Sequence, residues 1–474
     1  MDKKEVREVL EAAMAQGGQF AELYLEHKEN TGISCENGRI EKVNTGIESG
    51  VGIRVIHGDN TAYVYTNDLS QENLCRLAQT AASAAKSDVR QPVAAFMTQP
   101  EALRPEIVFR PDEVDFTEKV ELLKIADQAA RAVDQRIEQV ALSYSDSTQQ
   151  VTIANSLGVY VEDERIRTRM ACNAIAKDGE AVQTGFASAG GTVGFELFRE
   201  KDPQDLGEEA AERAKRLLSA KACPAGTMPM IMASEAGGTM VHEACGHGLE
   251  GDLVQKGLSV YAGRLGEMVA SEKITVVDDA TLTGKYGSYA FDDEGHLGRK
   301  NVLIRQGVLE QYMYDYHTAV KEGTYSTGNG RRQSYKEKPI TRMSNTYIAP
   351  GEDSVEEIMR STKHGLLVTK MGGGQVNSIN GDYVFDVAEG YMVEDGEIQY
   401  AVRGATLAGN GPKSLQNVEM VADDLGYAIG TCGKNGQSAP VADAQPTMKI
   451  GGLVVGGTAG GEEEILEDFT IIRR

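Results

Sequence analysis

A chain of 474 residues, 41% hydrophobic and 25% charged, has material for two or three domains and a sizeable core. Its net charge of −23 argues against a nucleic-acid binder, which needs a basic face, although a local basic pair such as Arg331-Arg332 remains possible on it. No apolar run approaches the roughly 18 residues of a membrane span. The start, Met1-Asp2-Lys3-Lys4-Glu5-Val6, is charged and helical rather than a signal peptide, so a soluble, cytoplasmic protein is expected.

In chain order, Val6, Val9, Leu10, Ala13 and Met14 form a helical stripe over Lys3 to Ala15. Strands are expected at Phe20–Leu25, Thr31–Ile40, Gly50–His57 and Thr61–Thr66. A helix to Lys86 follows, with Asp68 and Ser70 as possible caps. Pro92, Pro100, Pro105 and Pro111 then punctuate a semi-rigid connector. After it the pattern begins again, with a helix from Thr117 to Asp134. Strands near Gln139–Ser145, Gln150–Asn155, Gly158–Glu164 and Arg167–Ala176 and a helix from Asp205 to Ala220 complete it. Residues 1–90 and 115–222 read as two copies of one helix–strands–helix unit inside an amino-terminal α/β domain, 1–222. No G-x-G-x-x-G follows a strand and no Walker A loop occurs, so a nucleotide-binding fold lacks support.

Cys223-Pro224-Ala225-Gly226 marks the domain boundary. In the strand Thr227–Ala233, Met228, Met230 and Met232 alternate as a packed face rather than a metal-binding stripe. Ser234 is placed to cap a helix carrying Val241-His242-Glu243-Ala244-Cys245-Gly246-His247-Gly248. Beyond it the chain is glycine-rich, with strands at Lys273–Val277, Asn301–Ile304, Leu309–Tyr314, Gly390–Glu394, Ile398–Gly404 and Met448–Val455. The expected fold is α+β: a duplicated α/β domain, then a β-rich domain, 223–474, across which that helix is laid.

The helix holds two of only seven histidines. Two neutral imidazoles can ligate a divalent metal such as zinc, a catalytic zinc needs a third protein ligand and an open position, and Glu243 stands where it could take a proton from bound water. In H-E-x-x-H the histidines share a helical face. Here they are five apart, about 140° around a regular helix. Both reach one metal only if the helix ends, bends or widens into a π-bulge, a distortion that Gly246 and Gly248 permit.

Candidates for the third ligand are few. His27 and His57 are flanked by charge and read as exposed. His296 sits in Phe291-Asp292-Asp293-Glu294-Gly295-His296, which reads as an acidic solvated turn before a second metal site. His317 reads as an ordinary strand-to-loop residue and His364 as a helix C-terminus. Of the six cysteines, scattered without a disulfide framework, two compete. Cys245 lies within the motif; Cys432, in Gly430-Thr431-Cys432-Gly433-Lys434, reads as part of a glycine-flanked turn with Lys434 favouring its thiolate. A distant cysteine is sterically easier than three ligands from one broken turn, which favours Cys432 while leaving Cys245 open.

The chain resembles the TldD/PmbA family, formerly labelled modulators of DNA gyrase. The resemblance rests on His242-Glu243-Ala244-Cys245-Gly246-His247, Asp292-Asp293-Glu294-Gly295, Thr327-Gly328-Asn329-Gly330-Arg331-Arg332 and Arg342-Met343-Ser344-Asn345-Thr346-Tyr347. Gly372-Gly373-Gly374-Gln375-Val376 and Gly430-Thr431-Cys432-Gly433-Lys434 complete it. The metal motif, which the PmbA (TldE) partner lacks, makes it similar to the TldD type of subunit. The resemblance implies a zinc metallopeptidase that trims unfolded peptides, including leader segments and antitoxin-like substrates. It further implies His242, His247 and Cys432 as Zn2+ ligands, Glu243 as general base, and a PmbA/TldE-type partner in a heterodimer, or a homodimer. His317, Tyr314 and Arg331 are candidates to stabilise the developing oxyanion. The competing class is a non-enzymatic regulator binding DNA gyrase or another partner; its acidic charge, however, is spread along the chain rather than gathered in a tail.

Overall fold

The computed structural model describes residues 1–85 and 91–458, and the architecture is α+β. Its amino-terminal half is built on one antiparallel sheet of β1 (Phe20–Glu36), β2 (Arg39–His57), β3 (Asn60–Thr66), β4 (Ile137–Asn155), β5 (Tyr160–Asp178) and β6 (Ala181–Gly191). The spatial order is β3-β2-β1-β4-β5-β6, so two three-stranded meanders are joined through β1 and β4, from Glu22 opposite Asn155 to Glu36 opposite Ala141. Each meander lies between two helices in sequence: Lys3–Met14 and Gln71–Ala84 for the first, Phe116–Val133 and Pro203–Leu218 for the second.

Alternation along the strands explains how this sheet is used. On β1, Ala21, Leu23, Ile33 and Cys35 are buried in the clusters that pack on the helices. Strand side chains point alternately to opposite faces. Glu22, Tyr24 and Glu26 therefore turn to the other face, where they too are buried, against the carboxy-terminal half. Several expected pairs of short strands are single long ones. Phe20–Leu25 and residues 31–36 share β1, because the polar stretch His27-Lys28-Glu29-Asn30 interrupts the apolar pattern but not the backbone ladder; the rest of the expected strand Thr31–Ile40 makes the turn at Asn37-Gly38 and opens β2. The Lys86 end of the second expected helix lies outside the described residues.

In the carboxy-terminal half, His364–Val376, Gly226–Met232, Met448–Gly456, Thr406–Asn410 and Asp382–Glu394 pair in that order. The first also pairs with the last, closing a ring from which Glu397–Arg403 and then Lys221–Ala222 continue the sheet beside Asp382–Glu394. Met228, Met230 and Met232 all enter the main core, as their period-two spacing predicted. A second sheet runs Val308–Leu309, Lys300–Arg305, Val276–Asp279, Asn345–Ile348, Gln437–Gln445 and Gly426–Lys434. Among the described residues the last strand pairs only with Gln437–Gln445 and leaves its other side unpaired. Two local expectations differ from this picture. His364 opens a strand rather than closing a helix and bonds Glu394 at 2.6 Å. Of the expected strand Leu309–Tyr314, only Leu309 belongs to a strand, paired with Ile304, and Met313 forms an isolated bridge with Glu250.

Candidate metal centre

The histidine segment begins not with a helix capped by Ser234 but with a 3-10 turn, Ser234–Ala236, and Gly237 at φ 69°. One helical turn, Thr239–Val241, leads into a π-turn, His242–Gly246, closed by the His247 N–H donating to the His242 carbonyl. A π-turn bonds residues five apart, which brings positions five apart toward one side. The two imidazole centroids lie 5.0 Å apart with their planes at 89°. Gly246 is needed for packing rather than for an unusual backbone: its φ is −54°, but a Cβ there would fall 2.1 Å from Met343 Sδ. Gly248 similarly admits the ring of Tyr261.

Cys432 comes from the sheet edge. It lies inside the strand Gly426–Lys434 rather than in a turn, since the ladder continues through Gly433 and Lys434 and the bend is made beyond them by Asn435 and Gly436. Its Sγ is 3.2 Å from His242 Nε2 and 3.4 Å from His247 Nε2. All three ligand atoms lie within 4.8 Å of one another. Tetrahedral zinc, at its usual bond lengths, holds sulfur and nitrogen ligands roughly 3.6 Å apart, so the donor set and spacing fit that ion. Cys245 is fully buried in the core, and burial pushes its thiol up to about 12.

Two carboxylates orient the imidazoles. Asp443 Oδ1 accepts from His242 Nδ1 at 2.8 Å, and Glu250 Oε2 from His247 Nδ1 at 2.9 Å. Each contact fixes the tautomer that aims Nε2 at the sulfur, the usual outer support of a metal-binding histidine. Burial alone would hold His247 down, but Glu250 and Cys432 outweigh it and raise it to about 9. Burial likewise raises the Cys432 thiol, yet the two histidines overcome this and draw it to about 5, into the thiolate form. Lys434 does not supply that effect. Its ammonium is buried against Glu250 (3.0 Å) and Asp252, so it braces the carboxylate behind His247. The Cys432 carbonyl accepts from the buried Arg342 guanidinium, which anchors the strand at that residue.

Glu243 follows His242 directly, is half-buried, and has no ion-pair partner among the described residues. None of the three oxyanion candidates is hydrogen-bonded to the triad among those residues. Tyr314 is packed in the core, His317 bonds the Gly58 carbonyl at 3.2 Å, and Arg331 bonds the carbonyls of Met343 and Pro440. The Asp292-Asp293-Glu294 turn is not solvated: these carboxylates are 1%, 4% and 0% exposed. Glu294 takes Arg54 at 2.7 Å, Asp293 takes Arg165, and Asp292 accepts the backbone N–H groups of Glu294, His296 and Gly330. The cluster ties the two halves together. His27 and His57 are partly buried, and His27 Nδ1 contacts Ser49 Oγ at 2.6 Å.

Comparison with known proteins places this geometry. Residues 21–85, 109–218 and 225–457 match, respectively, domain 1, the central domain and the C-terminal domain of the PmbA/TldA metallopeptidases. The chain belongs to the PmbA/TldD metallopeptidase family. It is 36% identical over 449 residues to a metalloprotease TldD homolog of Haemophilus influenzae, covering 93% of each chain. A metalloprotease of Methanocaldococcus jannaschii is 37% identical over 431 residues (90% of this chain, 94% of the relative). A relative from Saccharolobus solfataricus named a zinc metalloprotease TldD homolog is 27% identical over 446 residues (93% and 97%). A solved Thermotoga maritima chain superposes with a TM-score of 0.80 at 24% identity, covering 96% of this chain and all (100%) of the other. TldE from Thermococcus kodakarensis gives 0.75 at 22%, with the same coverage. These relatives are named metalloproteases, and this chain is a member of the same metallopeptidase family. Among the described residues no helix is long and apolar enough to cross a membrane.

Proposed function

We propose that this chain is a zinc peptidase acting on unfolded peptides, with His242, His247 and Cys432 as the ligands and Glu243 as general base. The observation that carries the reading is the convergence of His242 Nε2, His247 Nε2 and Cys432 Sγ, each imidazole being held from behind by its own carboxylate. Zinc bound by these atoms supplies a Lewis acid and lowers the pKa of a water toward neutrality. Asp443 and Glu250 hold the Nδ1 protons, keeping Nε2 free to ligate. Cys432 contributes a thiolate, which offsets part of the cation's charge. Glu243, beside His242 and free of ion pairs among the described residues, accepts a proton from water and delivers it to the leaving amine. The zinc-named relative supports the choice of metal.

The unpaired side of the strand Gly426–Lys434 offers main-chain donors and acceptors beside Cys432. An extended peptide can add there as a further strand, an arrangement that reads backbone and demands an unfolded substrate. Residues 1–222 serve as the scaffold unit and 223–474 as the metal-holding unit. Leader segments and antitoxin-like chains are the substrate class the family resemblance suggests, and a PmbA/TldE-type subunit, or a second copy, is the partner. The test incubates an unfolded peptide with the protein alone and with a PmbA-type partner, with and without chelator. Cleavage that chelator abolishes and zinc restores is expected in at least one arm. Cleavage insensitive to chelator in both arms would overturn the reading.

A further inference from the structure

Between the amino-terminal sheet and the carboxy-terminal half lies a cavity of about 300 Å3 whose wall carries Lys28, Arg165, Arg167, Arg331 and Arg332 against Asp292 and Asp293. Five cations facing two carboxylates is an unexpected balance in a chain of net charge −23. Arg165 is matched by Asp163 and Asp293, and Arg332 by Glu22. The other three are not matched. Arg331 spends its donors on the carbonyls of Met343 and Pro440, and Arg167 has one long contact, 3.4 Å, to the Tyr286 carbonyl. Among the described residues neither arginine, nor Lys28, has a carboxylate within 4.0 Å. Burial pulls Arg167 down to about 10, and the neighbouring Arg165 and Arg331 add to this, with Tyr286 and Asp293 offsetting only part of it. Arg331 is buried and Lys28 and Arg167 are half-buried, and charges withdrawn from water are ordinarily paired. A cavity that leaves several unmatched is complementary to an anion, and the guanidinium fork suits a carboxylate.

Its position says which anion. Thr431 and its cross-strand neighbour Pro440 form part of the wall. Thr431 immediately precedes Cys432, and adjacent strand residues face opposite ways, so the cavity backs the strand whose other face presents Cys432 to the two imidazoles. A peptide added along this strand alternates in the same manner: one side chain faces the triad and the next faces the cations. We propose that this cavity is a specificity subsite that seats a carboxylate of the peptide substrate, either an Asp or Glu side chain or the C-terminal carboxylate. The proposal rests on the peptidase reading above.

The test measures binding rather than turnover. Fluorescent unfolded decapeptides carry a single Glu at each position in turn, with Gln counterparts and C-terminally amidated forms. Each is titrated by anisotropy into the zinc-loaded full chain and into Arg167→Gln. One acidic placement should bind about tenfold tighter than its neutral counterpart, the size of one charge-assisted contact. The acidic-to-neutral ratio should fall toward one in Arg167→Gln. A preference that follows a Glu position identifies a side-chain subsite; one abolished by amidation identifies a terminal-carboxylate subsite. Equal binding of acidic and neutral peptides by the wild type would overturn the proposal. So would a ratio that survives in both Arg167→Gln and Lys28→Met, two residues whose loss breaks no ion pair among the described residues. Discrimination without cleavage would leave the subsite and remove the peptidase reading; cleavage without discrimination would do the reverse.

Discussion

At the scale of the residue, chemistry is divided among side chains that stand close together yet have different jobs. Glu243 is set beside the His242–His247–Cys432 cluster but not within it. Glu243→Gln should retain the metal, measured as stoichiometry in the purified protein, while peptide cleavage falls by about 10²–10⁴-fold. Native cleavage by that variant would remove Glu243 from the base role. The two cysteines separate just as cleanly. Cys432→Ser should lower zinc content, whereas Cys245→Ser, altering a core thiol, should leave stoichiometry intact. Zinc unaffected by the first change and lost with the second would reverse the assignment. His296 carries a pH signature. Burial works against its charge, but Asp292 at 3.6 Å and Glu294 at 4.0 Å prevail, lifting it to about 9. A raised histidine stabilises fully below its ordinary pKa of about 6.5 and loses that contribution as pH climbs through its folded value. Unfolding free energy should thus fall by on the order of 2 kcal/mol between about pH 6.5 and 9, and His296→Gln should flatten that slope. An unchanged slope in the variant would assign it elsewhere.

At the scale of the element, the π-turn is a conformation the neighbours must hold. A five-residue spacing of histidines is incompatible with one face of a regular helix, and the wider turn corrects it locally. The short helix Gly411–Gln416 presses against it: a Cβ on Gly411 would come 2.3 Å from the Ala244 carbonyl, a backbone atom with little room to move. Gly411→Ala should cost about 1–3 kcal/mol through overpacking and weaken zinc binding by displacing the turn. Thermal melts and a zinc competition titration check both; wild-type values in each would mean the turn is held by other contacts. The strand Gly426–Lys434 is the complementary element. Its edge position leaves the backbone beside Cys432 available, while Arg342 and the Lys434–Glu250–Asp252 cluster keep that edge in register with the histidines.

At the scale of the whole molecule, the halves are locked by buried charge. Arg54 of β2 spans Glu22 and Glu294 at 2.7 Å each, and Arg332 reaches back to Glu22 with its guanidinium 4.2 Å from the Tyr24 ring. These groups are almost wholly withdrawn from water. Removing one partner strands the others, at a cost of about 3–5 kcal/mol. Arg54→Met should lower the unfolding midpoint accordingly, measured by denaturant titration. A loss below about 1 kcal/mol would show that Glu22 and Glu294 find other partners or protons.

What could be read along the chain follows from rarity and period. Histidines are few, so a pair flanking Glu243 stood out, and so did alternating Met228, Met230 and Met232. Helix positions followed from apolar spacing for the same reason. Asp443 and Glu250 did not stand out, because 71 acidic residues offer no local mark of which two will lie behind imidazoles; only Glu250, three residues after His247, had even a positional hint. Long strands were read as fragments where their faces turned polar, and Asp292 to Glu294 as solvated, since the arginines that neutralise Asp293 and Glu294 are far off in sequence. Local composition thus determined the elements and the metal-type chemistry. The π-turn's closure, the delivery of Cys432 across 185 residues to His247, and the pairing of buried charge were decided by tertiary packing, which alone brings distant groups within a few ångströms.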